Sequence, residues 1–194
     1  MERVILIGDS IRMGYQETVR RELEGVAEVW GPARNGGDSA NVRAHLDEWV
    51  LRETAAVLHI NCGLHDIKKP FDSGLAQVPL DEYEANVRDI FSRLRDRWPG
   101  TVVWTTTTPV NEELHHRNKG FDRFEADVAA YNAAALSLAR EFGLEIDDLF
   151  AVMTAAGPAD HLNEDGVHFS PAGYEVLGRA VAAALRPYLT GNGT

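Results

Sequence analysis

Ser10, Asp165 and His168 are the residues of this 194-residue chain whose types and spacing could carry out nucleophilic chemistry. A serine hydroxyl is a poor nucleophile at neutral pH. It needs a base, and the base needs a group to orient it. His168 is the candidate base. Asp165 stands three residues before it. On a tight turn helped by Gly166, its carboxylate can reach the imidazole Nδ1–H and leave Nε2 facing the serine. Acyl transfer also needs donors aimed at the oxyanion that develops. The Ser10 N–H at a helix start, a glycine N–H from Gly36-Gly37 and the side chain at position 65 are the candidates.

Elements at opposite ends of the chain must bring these groups together. Short apolar runs at 4–7, 27–30, 56–60, 101–106 and 144–146 carry little polar alternation, as strands buried on both faces do. Helical patterns separate them. The weakest is at about 13–24. Ser39 stands as cap before Val42, Leu46 and Trp49 on one face. Tyr83, Val87, Ile90, Leu94 and Trp98 recur every three or four residues and stop at Pro99-Gly100. Phe124, Val128, Tyr131, Ala135, Leu138 and Phe142 form another stripe, stopped by Gly143. Ser170-Pro171 opens the last helix, with Tyr174, Leu177, Val181 and Leu185 inward. Such alternation predicts an α/β chain, residues 1–194 as one domain. The expected fold is a flavodoxin-like three-layer α/β/α sandwich with a five-stranded parallel sheet in the order 2-1-3-4-5.

Ligands in open parallel sheets bind outside the carboxyl ends of the strands. The loops at those ends read Gly8-Asp9-Ser10, Asn35-Gly36-Gly37-Asp38-Ser39, Asn61-Cys62-Gly63-Leu64-His65-Asp66, Thr107-Thr108-Pro109 and, past a short helix, Asp160-His161 and Asp165-Gly166-Val167-His168. Glycine, serine, histidine and aspartate thus gather on one edge of the sheet. Either Gly-Asp-Ser or Asp-x-x-His alone is a weak signal; together and in this order they are a strong one.

This combination resembles the SGNH, or GDSL-type, hydrolases. The matching blocks are Gly8-Asp9-Ser10, Gly36-Gly37-Asp38-Ser39, Gly63-Leu64-His65-Asp66 and Asp165-Gly166-Val167-His168 with Phe169-Ser170-Pro171-Ala172-Gly173 after it. The resemblance implies metal-free hydrolysis of an ester or acetyl ester through an acyl-enzyme, and the expected substrate here is a short-chain acyl or acetyl ester, including one of a carbohydrate, with no cofactor. It implies an oxyanion hole of Ser10, Gly37 and position 65. One block departs: His65 stands where the family has asparagine. A neutral imidazole has one N–H and can substitute. Asn61 is a fallback donor, set deeper on the strand. The departure also motivates an alternative, an impaired binding module for an acylated or anionic small molecule.

The net charge of −11 argues against nucleic acid or an anionic membrane surface as partner. The single cysteine, Cys62, excludes an internal disulfide and fits a reducing compartment. No run approaches the ~20 apolar residues of a membrane span, and no signal peptide is visible, so a cytoplasmic monomer or small homo-oligomer is expected. Cys62 and His59 read as core residues, Asp9 as an anchor of the serine loop and Asp66 as a helix cap. His115, His116, Arg117 and Lys119 form a basic spot within 111–121 for an anionic substrate, with His115, His116 and Arg117 as the candidate contacts and 68–79 as another pocket wall. Asp160, His161, Asp165 and His168 lack the helix-borne His pair or Cys ligand that would mark a metal site.

Overall fold

Unbroken apolar runs make the middle of the molecule. In the computed structural model, which describes residues 1–189, residues 4–7 of β1 (Glu2–Ile7) and all of β3 (Val57–Ile60) are fully buried. Side chains of such strands need apolar layers on both sides. β2 (Ala27–Trp30), β5 (Thr101–Thr105) and β7 (Glu145–Asp147) complete a parallel sheet in the order β2-β1-β3-β5-β7. Val4 stands opposite both Val29 and Val57. β4 (Lys69–Pro70) and β6 (Phe121–Asp122) pair only with each other, antiparallel. Counted among themselves, the five sheet strands therefore run 2-1-3-4-5, as expected.

The helices form the outer layers. α1 (Ser10–Glu22), α6 (Leu149–Ala156) and α8 (Pro171–Leu185) pack together on one side. α2 (Ser39–Leu46), α3 (Leu80–Arg97) and α5 (Glu125–Glu141) pack on the other. α4 (Glu112–Asn118) and α7 (Pro158–His161) are short helices in the loops after β5 and α6. Among the described residues, no helix is long and apolar enough to cross a membrane.

The caps largely follow the sequence. Ser170 caps α8, its Oγ accepting from the Gly173 N–H at 3.2 Å, and Pro171 occupies the first helical position. Two starts differ. Ser39 is the first residue inside α2, and Asp38 is the cap, because its carboxylate reaches the Asn41 N–H at 2.9 Å. α1 begins at Ser10, earlier than its apolar spacing suggests, because the Asp9 carboxylate accepts from the Ile11 N–H at 2.8 Å.

Two glycines let α1 and α8 approach closely. A Cβ at Gly14 would enter the Tyr174 ring, and one at Gly178 would collide with Thr18 and come within 3.0 Å of the Tyr15 carbonyl. This contact sets the start of α1, which carries Ser10, against the start of α8, which follows His168. Gly178→Val should lower stability by about 1–3 kcal/mol through overpacking, measured by urea unfolding; unchanged stability would contradict the close approach.

Candidate active site

Ser10 follows β1 as the first residue of α1. The N–H groups of a helix's first turn have no intrahelical acceptor and are available to an anion. Asp9 is buried and holds this turn, as expected. The loop after β2 is laced onto the end of β1: the Gly36 N–H donates to the Gly8 carbonyl at 3.0 Å. A Cβ at Gly36 would sit 2.7 Å from that carbonyl oxygen, so glycine is required there. Gly37 has φ +65°, a conformation that favours glycine.

Arg12, which sequence reasoning did not single out, holds the same loop from beneath. It is buried, and its Nη2 donates to the carbonyls of Pro32 and Arg34 at 2.9 Å each, while Nη1 donates to Gln16 Oε1 at 2.7 Å. Burial pushes its guanidinium below the ordinary arginine value, against the opposing pull of Tyr15 and Asp9.

His168 and Asp165 come from the turn before α8. Asp165 Oδ2 lies 2.6 Å from His168 Nδ1, and Ser10 Oγ lies 2.8 Å from His168 Nε2. An ionised carboxylate only accepts, so Nδ1–H donates to it and Nε2 is left to accept from the Ser10 hydroxyl. The other Asp165 oxygen accepts from the N–H groups of Val167 and His168 at 3.1 and 2.9 Å. Burial would raise the Asp165 carboxyl, but these hydrogen bonds from His168 and Val167 outweigh it and hold it well below the usual carboxylate range. Lys119 pairs with the same Oδ2 at 3.3 Å. The arrangement can pass the hydroxyl proton to the imidazole and stabilise the resulting imidazolium.

Ser10 and His168 open into a cavity of about 250 Å³ whose apolar walls are Leu64, Phe121 and Val167. Its polar lining is Asn35, His65, Lys119 and Arg123. His65 thus reaches the cavity. Burial pushes its imidazole below the ordinary histidine value, with Arg123 and Lys68 acting the same way and Asp9 and Asp38 opposing. The neutral ring, with one N–H, is the form at neutral pH. Asn61 is not placed to donate: its Nδ2 is bonded to the Thr105 carbonyl at 2.7 Å, below the cavity. The Gly37 N–H is occupied too, donating to the Asn35 side chain at 2.8 Å.

His115, His116 and Arg117 do not line this cavity, contrary to the sequence expectation. They lie on α4, whose turn points them elsewhere. His115 is fully buried and its Nδ1–H donates to the Asp165 carbonyl at 2.9 Å. His116 is exposed and pairs with Asp122 at 2.7 Å, and Arg117 pairs with Glu113 one turn back at 3.4 Å. The cations in the cavity are Lys119, the one member of that basic spot to reach it, and Arg123. Nor does segment 68–79 form a wall directly: β4 props β6, and Lys68 lies 4.3 Å over the Phe121 ring.

His59, Cys62 and Asp66 lie outside this cavity. His59 is in the core, bonded through Nε2 to Asp147 at 2.9 Å, and Cys62 is buried and free. Among the described residues no group of His, Cys, Asp and Glu could hold a metal ion. Asp66 accepts from the Ser39 N–H through both oxygens, at 3.0 and 3.1 Å, capping α2 from a neighbouring loop. Burial pushes its carboxyl up to about 6, against the pull of those hydrogen bonds. A folded pKa above the free value of 3.8 means the folded state binds this proton more tightly. Asp66 therefore contributes most stability below about pH 4, and the contribution is lost as pH rises through 6. In urea unfolding, the chain should lose stability relative to Asp66→Asn over that interval; a constant difference between the two would contradict the assignment.

Comparison with known proteins shows the family and the fold. The model of the GDSL-like Lipase/Acylhydrolase family matches residues 6–176. The GDSL esterase/lipase At5g45920 of Arabidopsis thaliana is 32% identical over 123 residues, covering 59% of this chain and 51% of that protein. The isoamyl acetate-hydrolyzing esterase 1 homolog of Mus musculus is 28% identical over 194 residues, covering 90% and 78%. The fold matches a lipase/acylhydrolase from Enterococcus faecalis with TM-score 0.83 at 20% identity, all of each chain being covered. With the family model running from the end of β1 into α8 and including every loop of the cavity, the chain belongs to the GDSL-like lipase/acylhydrolase family.

Proposed function

We propose that the chain hydrolyses carboxylic esters of short acyl groups, acetyl esters among them, through an acyl-enzyme on Ser10. The observation that carries this is the unbroken hydrogen-bond chain from Ser10 Oγ to His168 at 2.8 Å and on to Asp165 at 2.6 Å, facing a cavity. His168 takes the hydroxyl proton as Ser10 attacks the ester carbonyl. Asp165 holds the ring and stabilises its charge. The tetrahedral oxyanion takes hydrogen bonds from the Ser10 N–H and from His65. It also takes one from the Gly37 N–H, once Asn35 yields that donor. His168 then protonates the leaving alcohol, and water, activated by the same imidazole, releases the acid.

The preference for short acyl groups rests on size. The cavity of about 250 Å³ is below the roughly 300–1,000 Å³ of sites for drug-sized ligands. A mouse relative bearing the name of an isoamyl acetate-hydrolyzing esterase homolog supports an acetyl ester. The proposed alcohols are a small alkyl alcohol and a sugar hydroxyl. The second reading, an impaired binding module, is favoured by one observation: the Gly37 N–H is already bonded to Asn35.

A panel of acetyl esters with alkyl and sugar alcohols separates the two. Ser10→Ala should reduce kcat by on the order of 10⁶ with the fold intact; turnover matching the parent would end the mechanism. His65→Ala should cost about 10²–10³ in kcat, whereas His65→Asn restores an uncharged donor and should stay within about tenfold of the parent on the same scale. Because His65 donates as the neutral ring, activity should persist as pH rises above neutrality. A loss of kcat on the alkaline side that disappears in His65→Asn would show that the charged ring was needed.

A further inference from the structure

We infer that the cavity beside Ser10 takes esters that carry a carboxylate, and that the guanidinium of Arg123 receives it. Arg123 is only 6% exposed, yet it lines the cavity. Its Nε–H donates to the Leu64 carbonyl at 2.7 Å, and its guanidinium lies 5.0 Å over the Phe121 ring. Those two contacts fix the plane of the group and leave the fork of Nη N–H groups for the cavity.

What the guanidinium lacks is an anion. Among the described residues no carboxylate lies within ion-pairing distance of Arg123; Asp9 and Asp165 act on it only from farther away. A buried cation is costly unless paired. Burial lowers Arg123 to about 10, so it remains charged at neutral pH. The neighbouring cation is differently placed, since Lys119 already pairs with Asp165. The other buried arginine, Arg12, spends its Nη N–H groups on Gln16 and on the carbonyls of Pro32 and Arg34, whereas Arg123 is anchored through Nε alone and lines the proposed catalytic cavity. A planar fork held in one orientation suits a carboxylate, which accepts two parallel hydrogen bonds from it.

This inference rests on the ester-hydrolysis reading, so binding and turnover are measured separately. Two pairs of esters place the charge on either side of the scissile bond. Monoethyl glutarate against ethyl pentanoate puts it on the acyl side, and 2-acetoxypropanoate against its methyl ester puts it on the alcohol side. Calorimetric titration of Ser10→Ala should show the charged member of at least one pair binding about 10- to 100-fold more tightly, the range expected of hydrogen bonds to a charged group. The same pair should show a similar ratio of kcat/KM in the unmodified protein. Arg123→Gln should bring the binding ratio close to one, and Arg123→Lys, which keeps charge without the fork, should leave it intermediate. Equal binding within both pairs would overturn the proposal. So would Arg123→Gln and Arg123→Lys weakening charged and neutral esters alike, since Arg123 would then merely hold the Leu64 carbonyl. Charged esters that bind selectively while neither member of any pair is hydrolysed would sustain the anion site and refute the hydrolytic reading instead.

Discussion

The hydrogen bond from His168 Nδ1 to Asp165 sets the direction of the imidazole, and much of the surrounding chain serves to keep that bond in place. Asp165 can hold the ring only if its own carboxylate is fixed, and its second oxygen is bonded to two N–H groups of the same turn. The turn itself depends on Gly166, at φ +71°, where a Cβ would run into the Asn111 carbonyl. The Asn111 N–H in turn donates to the Gly166 carbonyl at 2.7 Å, and His115 supports the Asp165 carbonyl from behind. The loop after β5 therefore supports the turn of Asp165 and His168 through the backbone, its buried His115 included.

A second constraint is desolvation of charge. Arg12 and Arg123 are both buried, and both are anchored by carbonyl oxygens where a carboxylate would be the more usual partner. Arg12 ties the Gly36-Gly37 loop to α1, so the helix that presents Ser10 also sets the height of the neighbouring loop. Arg123 ties Leu64, and with it the approach of His65 to the cavity. Asp66 crosses between the second and third loops to cap α2. Each of these groups joins loops from different strands, which is how a sheet edge made of five separate connections holds one rigid geometry.

Much of this was legible in the amino-acid sequence. The central strands announce themselves as unbroken apolar runs because they are buried on both faces. Ser10, Asp165 and His168 stand out because their chemistry needs one another, although they lie at opposite ends of the chain. What stayed hidden depended on direction in space. His115, His116 and Arg117 look alike as a basic run, but helical rotation in α4 buries the first and turns the others to solvent. Ser39 and Asp38 are both good caps, and only backbone geometry decides between them. The bond between Asn35 and the Gly37 N–H is a local turn that no residue type demands. Arg123 sits between Phe121 and Phe124, and that interleaving of cation and aromatics was the available signal. The ribbon of β4 and β6 spans two residues in each strand, too short for any pattern.

Ser10 is the proposed nucleophile, and His168 is the group proposed to activate it. The most direct measurement is reaction of the folded chain with a serine-directed fluorophosphonate, followed by peptide mapping of the adduct. The expected result is a single stoichiometric adduct on Ser10, formed slowly or not at all in His168→Ala. An unlabelled Ser10, or labelling that His168→Ala leaves at the same rate, would contradict it.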